Sequence, residues 1–184
     1  MKSGKSKGSP ESKLVLPVAK RDHIQGPIDA PFALVEYGDF ECPYCGDAYP
    51  VVKAVQRQLG ERLCFAFRNF PLVNSHPHAE HAAEAAEAAG AQGRFWEMHD
   101  MLFENQNALE DEDIARYAEE LSLDAQRLIK EVEAEAHSAR VREDLKNGAR
   151  DGVGGTPTFF VNGVVYEGEP GLGALYAALT KNDA

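Results

Sequence analysis

The chain of 184 residues contains three cysteines, three methionines and a single tryptophan. Three cysteines are too few for a disulfide scaffold, so their role is chemistry or packing rather than stapling. No apolar run approaches the roughly 18 residues of a transmembrane helix, and no membrane-spanning segment is expected. Met1 to Glu11 is rich in Lys, Ser and Gly and lacks the apolar stretch of a secretory signal. As it stands, the sequence reads as cytoplasmic, or as periplasmic or otherwise extracytoplasmic if an export signal has been removed. Positive charge is scarce as well: 19 Lys/Arg face 30 Asp/Glu, for a net charge of −11. Residues 1–21 hold six of those basic side chains against one Glu, so the remainder is more acidic than the whole. An acidic body argues against nucleic acid as a partner, and the basic start reads as a flexible leader. Its Gly4 to Ser9 stretch lacks the glycine spacing and flanking strand of a phosphate loop.

What is present centres on Cys42-Pro43-Tyr44-Cys45. Two cysteines at this spacing can open and close a disulfide within one helical turn. Ala33 to Tyr37 is a short strand-like run, Gly38 to Glu41 a connection, and Tyr49, Val51, Val52, Val55 and Leu59 recur at helical spacing. The first cysteine therefore falls where a strand turns into a helix. There the unpaired N–H groups of the first turn favour its thiolate, the nucleophile of disulfide exchange. Pro43 suits that turn because it has no N–H to leave unpaired. Cys45, one turn deeper, is placed to resolve a mixed disulfide formed at Cys42. The alternative, half a tetrahedral zinc site, lacks the second cysteine pair it needs, and no metal is expected.

The helix after the cysteines should end at Gly60, and Leu63, Phe65, Phe67 and Phe70 mark a second strand. Leu14 to Leu16 with Val18 suggest an edge strand, followed by a linker between Pro27 and Pro31. Residues 76–147 read as helical almost throughout and carry 18 Asp/Glu against 7 Lys/Arg. The alanine-rich run from His78 to Ala91 opens this stretch, and Phe95 to Phe103 marks the next helix, with Trp96 and Phe103 as core. Further helices are expected around Ile114 to Leu121, Leu128 to Val132, and Val141 to about Gly152. Thr158 to Val161, Asn162-Gly163 and Val164 to Tyr166 read as a hairpin, because Asn-Gly supports its tight turn. A last helix runs from about Leu172 to Leu179. The order predicts an α/β, thioredoxin-like fold with an inserted all-helical subdomain. Residues 22–75 and 148–184 would form the core and 76–147 the insertion. Cys64 reads as a buried core thiol. His76, His78 and His81 read as capping and solvated side chains at a helix start rather than as metal ligands.

Three blocks resemble the DsbA-like thiol–disulfide oxidoreductases. They are Phe40 to Cys45, then Phe70-Pro71 with His78-Ala79 and Gln92 to His99, and Gly154-Gly-Thr-Pro-Thr-Phe159. The resemblance covers most of residues 20–181. It implies Cys42 as the exposed nucleophile, Cys45 as the resolving thiol and Pro157 as a cis-proline beside them. Thr156 would then offer its backbone to substrate, and Glu36 would be a buried acid serving Cys45. Phe40 and Tyr44 are candidate peptide contacts. The implied partners are protein or peptide thiols and a redox protein that recycles the site, with no metal or organic cofactor. The dipeptide is Pro-Tyr where strongly oxidising members have Pro-His, and Asp39, Glu41 and Asp47 lie around Cys42 in sequence. A less stabilised thiolate is therefore expected, with a potential on the order of −200 mV. Two other readings stay open: a glutathione-dependent, glutaredoxin-like reductase, and a non-catalytic peptide-binding or chaperone-like module.

Overall fold

The computed structural model describes residues 13–181. Of the leader expected over residues 1–21, residues 1–12 lie outside them. In chain order the elements begin with β1 (His23–Gln25), β2 (Phe32–Gly38), α1 (Pro43–Leu59) and β3 (Leu63–Asn69). Five helices follow: α2 (Ala79–Ala91), α3 (Phe95–Glu104), α4 (Asp111–Glu120), α5 (Ala125–Glu133) and α6 (Ser138–Asp151). The hairpin β4 (Thr158–Val161) and β5 (Val164–Val165) leads to α7 (Leu172–Thr180). The five strands form one sheet in the order β1-β3-β2-β4-β5. Only β2 and β3 run parallel, with Phe32 opposite Leu63 and Gly38 opposite Asn69. This is the expected α/β, thioredoxin-like arrangement. No helix among the described residues is long and apolar enough to cross a membrane.

The alternation of β2 sorts the core. Successive side chains of a strand face opposite sides of its sheet. Phe32 and Leu34 join the larger cluster with Cys42, Cys45, Phe65, Phe67 and the helices α1 to α5. Val35 and Tyr37 join a smaller cluster with Ala66, Phe70 and Phe160 on the other face. By the same alternation Glu36 points toward the face that carries the cysteines. The alanines of α2 explain how so many helices fit over one sheet. Ala82, Ala83, Ala85, Ala86, Ala88 and Ala89 are all buried, so neighbours approach α2 closely from several sides. Gly60 closes α1 at φ +53, as a C-terminal glycine should.

One expectation changes at the N-terminal border. Leu14 to Val18 is not an edge strand. Lys13 makes one isolated bridge to Val164, and the edge is taken by His23–Gln25 paired antiparallel to β3. The reason is that side chains claim the backbone here. Val15 N donates to Asp151 Oδ1 at 2.6 Å, and Leu16 O accepts from Arg68 Nη2 at 3.0 Å. Arg68 is fully buried and also binds Asp22 Oδ1 at 2.9 Å and the Tyr37 hydroxyl at 2.9 Å, while Tyr37 donates to Asp151 at 2.7 Å. This network pins residues 13–22 across the second face, where Leu14 and Val18 pack. Helix α6 runs unbroken to Asp151, as expected of a helix ending by about Gly152.

Candidate active site

Cys42 is the N-cap of α1, in extended backbone (φ −71, ψ 120), and its carbonyl accepts from the N–H groups of Cys45 and Gly46 at 3.1 Å each. The chain enters this position from β2, whose register against β3 and β4 fixes the connection that carries Cys42. Cys42 and Cys45 are both unbridged. The Cys42 thiol donates to the Thr156 carbonyl at 3.3 Å, and the Thr156–Pro157 bond is cis. The loop before β4 thus lies directly against the thiol, and Cys42 is only 2% exposed rather than open to solvent as expected. Cys45 is fully buried, with the Asp39 N–H 3.5 Å from its sulfur.

The two thiols are driven apart electrostatically. A hydrogen bond from Cys45 to Cys42 is the largest influence on Cys42 and favours its thiolate. Burial opposes this, but the Thr156 side chain and the first-turn N–H groups of Cys45 and Tyr44 add to it, and the pKa falls to about 5. Cys45 moves the other way. Burial pushes it well above the ordinary thiol value, and the bond to Cys42, the Glu36 carboxyl and the Cys42 charge push it further. Glu36 is buried with Oε1 unpaired, and burial first, then the Cys42 charge, raises its pKa to about 8. It therefore carries a proton at neutral pH.

The expected ring of negative charge does not form. Asp39 is buried and accepts from the N–H groups of Glu41 and Leu72 at 2.8 Å each, and its Oδ2 lies 2.7 Å from His76 Nδ1. Burial resists protonation of His76, yet the Asp39 pair, with Cys42 and Glu41 nearby, raises its pKa. Glu41 is turned away to accept from His78 N at 2.6 Å. The histidines are thus not simple caps: the carboxylate of Glu41 serves the start of α2, and His78 and His81 face Glu110 and Asp111. The Cys42 thiolate, expected to be weakly stabilised, is instead favoured by its hydrogen bonds with Cys45, Thr156 and the first turn of α1.

The candidate contacts divide. Tyr44 is 71% exposed and lines a groove with Thr156 and Pro157. Phe40 does not join them. At 1% exposure it packs against Phe67, Phe103 and His99, so it is core and has no surface to offer a peptide. Cys64 is buried in β3 as expected.

One supporting residue was invisible in the sequence. Gln106, just past α3, donates from Nε2 to the carbonyls of Phe40 and Cys42, both at 2.8 Å. A Cβ on Gly46 would lie 2.0 Å from the Gln106 side-chain oxygen, so the glycine admits this clamp. No local pattern marks a single glutamine as a partner for a turn more than sixty residues away.

Comparison with known proteins agrees with this geometry. A family model described as thioredoxin matches residues 19–181. The oxidised form of BdbD from Bacillus subtilis superposes with a TM-score of 0.83 at 22% identity, covering 94% of this chain and 98% of that one. A thioredoxin-like oxidoreductase from Silicibacter pomeroyi gives 0.79 at 24% identity, over 90% of this chain and 94% of that one. Among curated sequences, a Na(+)/H(+) antiporter NhaA 1 from Salinispora arenicola is 46% identical over 168 residues, 91% of this chain and 26% of the antiporter. The chain spans about a quarter of the length of such relatives. From the family match and the superpositions, the chain belongs to the thioredoxin family and has the fold of its DsbA-like thiol–disulfide oxidoreductases.

Proposed function

We propose that the chain is a thiol–disulfide oxidoreductase that acts on protein or peptide thiols through a mixed disulfide at Cys42. The observation that carries this is the split between the paired thiols, with Cys42 drawn down to about 5 and Cys45 pushed up, beside a protonated Glu36. In the oxidised protein a substrate thiolate attacks Cys42 Sγ and the Cys42–Cys45 bond breaks. The electron pair leaves on Cys45, which takes the Glu36 proton. A second substrate thiolate then attacks the substrate sulfur of the mixed disulfide and releases Cys42 as a stable thiolate. The substrate gains one disulfide and the protein gains two electrons, which a redox partner must remove. Thr156 and Pro157 hold the substrate segment against Cys42, and Tyr44 contacts it.

The low Cys42 value supports an oxidant. A stable leaving thiolate favours the reduced protein, as in the most oxidising members of this superfamily. The potential should accordingly lie above the −200 mV anticipated from the acidic neighbours. Transport, which the relatives' names describe, is not carried over, because the matched quarter of those chains is this thioredoxin-like unit.

The test is single-turnover oxidation of a reduced, unfolded disulfide protein by the stoichiometric oxidised chain. The reading requires disulfides to appear in the substrate as free thiols appear in the chain, and Cys42→Ser to abolish transfer. Transfer that survives Cys42→Ser, or that occurs only with glutathione, would reject it.

A further inference from the structure

The groove beside Cys42 has a volume of about 520 Å³. Ala48, Pro157, Phe159 and the rings of Tyr44 and Tyr166 give it apolar walls. Among its described lining residues the charged side chains are Asp47 and Glu169, both exposed and both acidic. Asp47 follows Tyr44 by three positions and so shares its face of α1. Glu169 lies in the segment between β5 and α7, which forms the opposite wall. That segment is fixed: the Tyr166 hydroxyl donates to the Glu169 carbonyl at 3.1 Å, and Gly171 N donates to the same oxygen at 2.8 Å. Among the described residues neither the Asp47 nor the Glu169 carboxylate has an ion pair or a hydrogen-bonding partner.

An apolar slot walled by aromatic rings and rimmed by two unneutralised carboxylates fits one kind of side chain well. A long alkyl stem can lie along the rings while its cationic head reaches the polar rim. The tyrosine faces add an attraction for the same cation. An acidic side chain there would meet two like charges.

We propose that Asp47 and Glu169 make this groove selective for substrates that carry a Lys or Arg close to the reacting cysteine. The inference rests on the oxidoreductase reading and deepens it by naming the substrate class, a basic cysteine-containing segment of a protein. The groove is immediately beside the thiol that the substrate sulfur must reach, so a residue a position or two from that sulfur is the one that enters it. The acidic rim acts on capture and leaves the exchange step at Cys42 unchanged in kind.

The test uses the full oxidised chain and three reduced dithiol peptides, identical except for Lys, Ala or Glu beside the first cysteine. Each peptide gives two electrons to the Cys42–Cys45 disulfide and becomes a disulfide itself, so no other oxidant is needed. Rates are read by acid quenching, alkylation and mass spectrometry. They are normalised to each peptide's rate with a small uncharged disulfide, because a neighbouring Lys itself favours the peptide thiolate. At low ionic strength the Lys peptide should react about tenfold faster than the Glu peptide. That ratio should fall to about twofold or less in the Asp47→Asn/Glu169→Gln double variant, and likewise at high salt. Equal rates in the unaltered chain would overturn the inference, as would a ratio that survives the double variant. A preference visible only after removal of residues 1–12 would assign the groove to the chain's own lysine-bearing leader and also overturn it. Exchange with none of the peptides would instead reject the oxidoreductase reading beneath it.

Discussion

Replacing Glu36 with Gln should change how stability depends on pH, and the size follows from burial. Burial is the main cause that raises the Glu36 pKa from 4.5 to about 8 in the reduced protein, with the Cys42 charge second. A carboxyl whose folded pKa lies above its unfolded value leaves stability intact below the unfolded value. Stability is then lost as pH rises between the two. At about 1.4 kcal/mol per unit, the full loss between pH 4.5 and 8 is about 5 kcal/mol, and at pH 7 about 3 kcal/mol has already gone. Glutamine does not titrate. It does introduce an amide N–H₂ where one carboxyl oxygen is unpaired, at a cost of about 1–2 kcal/mol. Glu36→Gln should thus be slightly less stable than the unaltered protein at pH 4 and about 3 kcal/mol more stable above pH 8. Urea unfolding of both reduced proteins across this range, taken as the difference between them, cancels other titrating groups such as Asp144. Curves that stay parallel from pH 4 to 9 would refute the reasoning, because Glu36 would then not be held protonated. The same variant should slow substrate oxidation, since Cys45 loses its proton donor.

Other outcomes follow from the same geometry. Alkylation of the reduced protein with a small reagent should modify Cys42 first, with a rate that rises through a midpoint near pH 5; earlier labelling of Cys45 or Cys64 would count against the assignment. Removing the His76 partner of Asp39 with His76→Phe leaves that buried carboxylate without its cation near Cys42. The alkylation midpoint should rise by about one unit, and an unmoved midpoint would show that His76 is only structural. Gln106→Ala deletes two hydrogen bonds to the turn that carries Cys42 and should cost about 1–2 kcal/mol. It should also speed amide exchange at residues 40–46, while an unchanged exchange rate there would deny the clamp.

The parts of this account legible in the sequence are those set by neighbours along the chain. Strand β2, the cysteine pair and the helix behind it lie within thirty residues, and each is marked by periodicity, proline or capping glycine. The Asn162-Gly163 turn announced its hairpin in the same way, with both residues at positive φ. The illegible parts are contacts made across the fold. Arg68 looks like the polar position of an alternating strand, yet it is fully buried because Asp22, Tyr37 and Leu16 converge on it from distant segments. The same contacts turned Leu14 to Val18 from an apparent strand into a strap. The acids near Cys42 looked like a repulsive ring because sequence proximity does not say that Asp39 turns inward to His76 or that Glu41 reaches the start of α2. Phe40 looked like a surface aromatic for the same reason, since Phe67 of β3 and His99 and Phe103 of α3 close over it from distant segments.

The central claim is that the mixed disulfide with substrate forms on Cys42 and not on Cys45 or Cys64. The most direct measurement is to incubate reduced Cys45→Ser, which cannot resolve, with a disulfide-bonded peptide and map any adduct by mass spectrometry. The account requires a stable mixed disulfide on Cys42, and none in the Cys42→Ser counterpart. Absence of any adduct, or an adduct on Cys64, would contradict it.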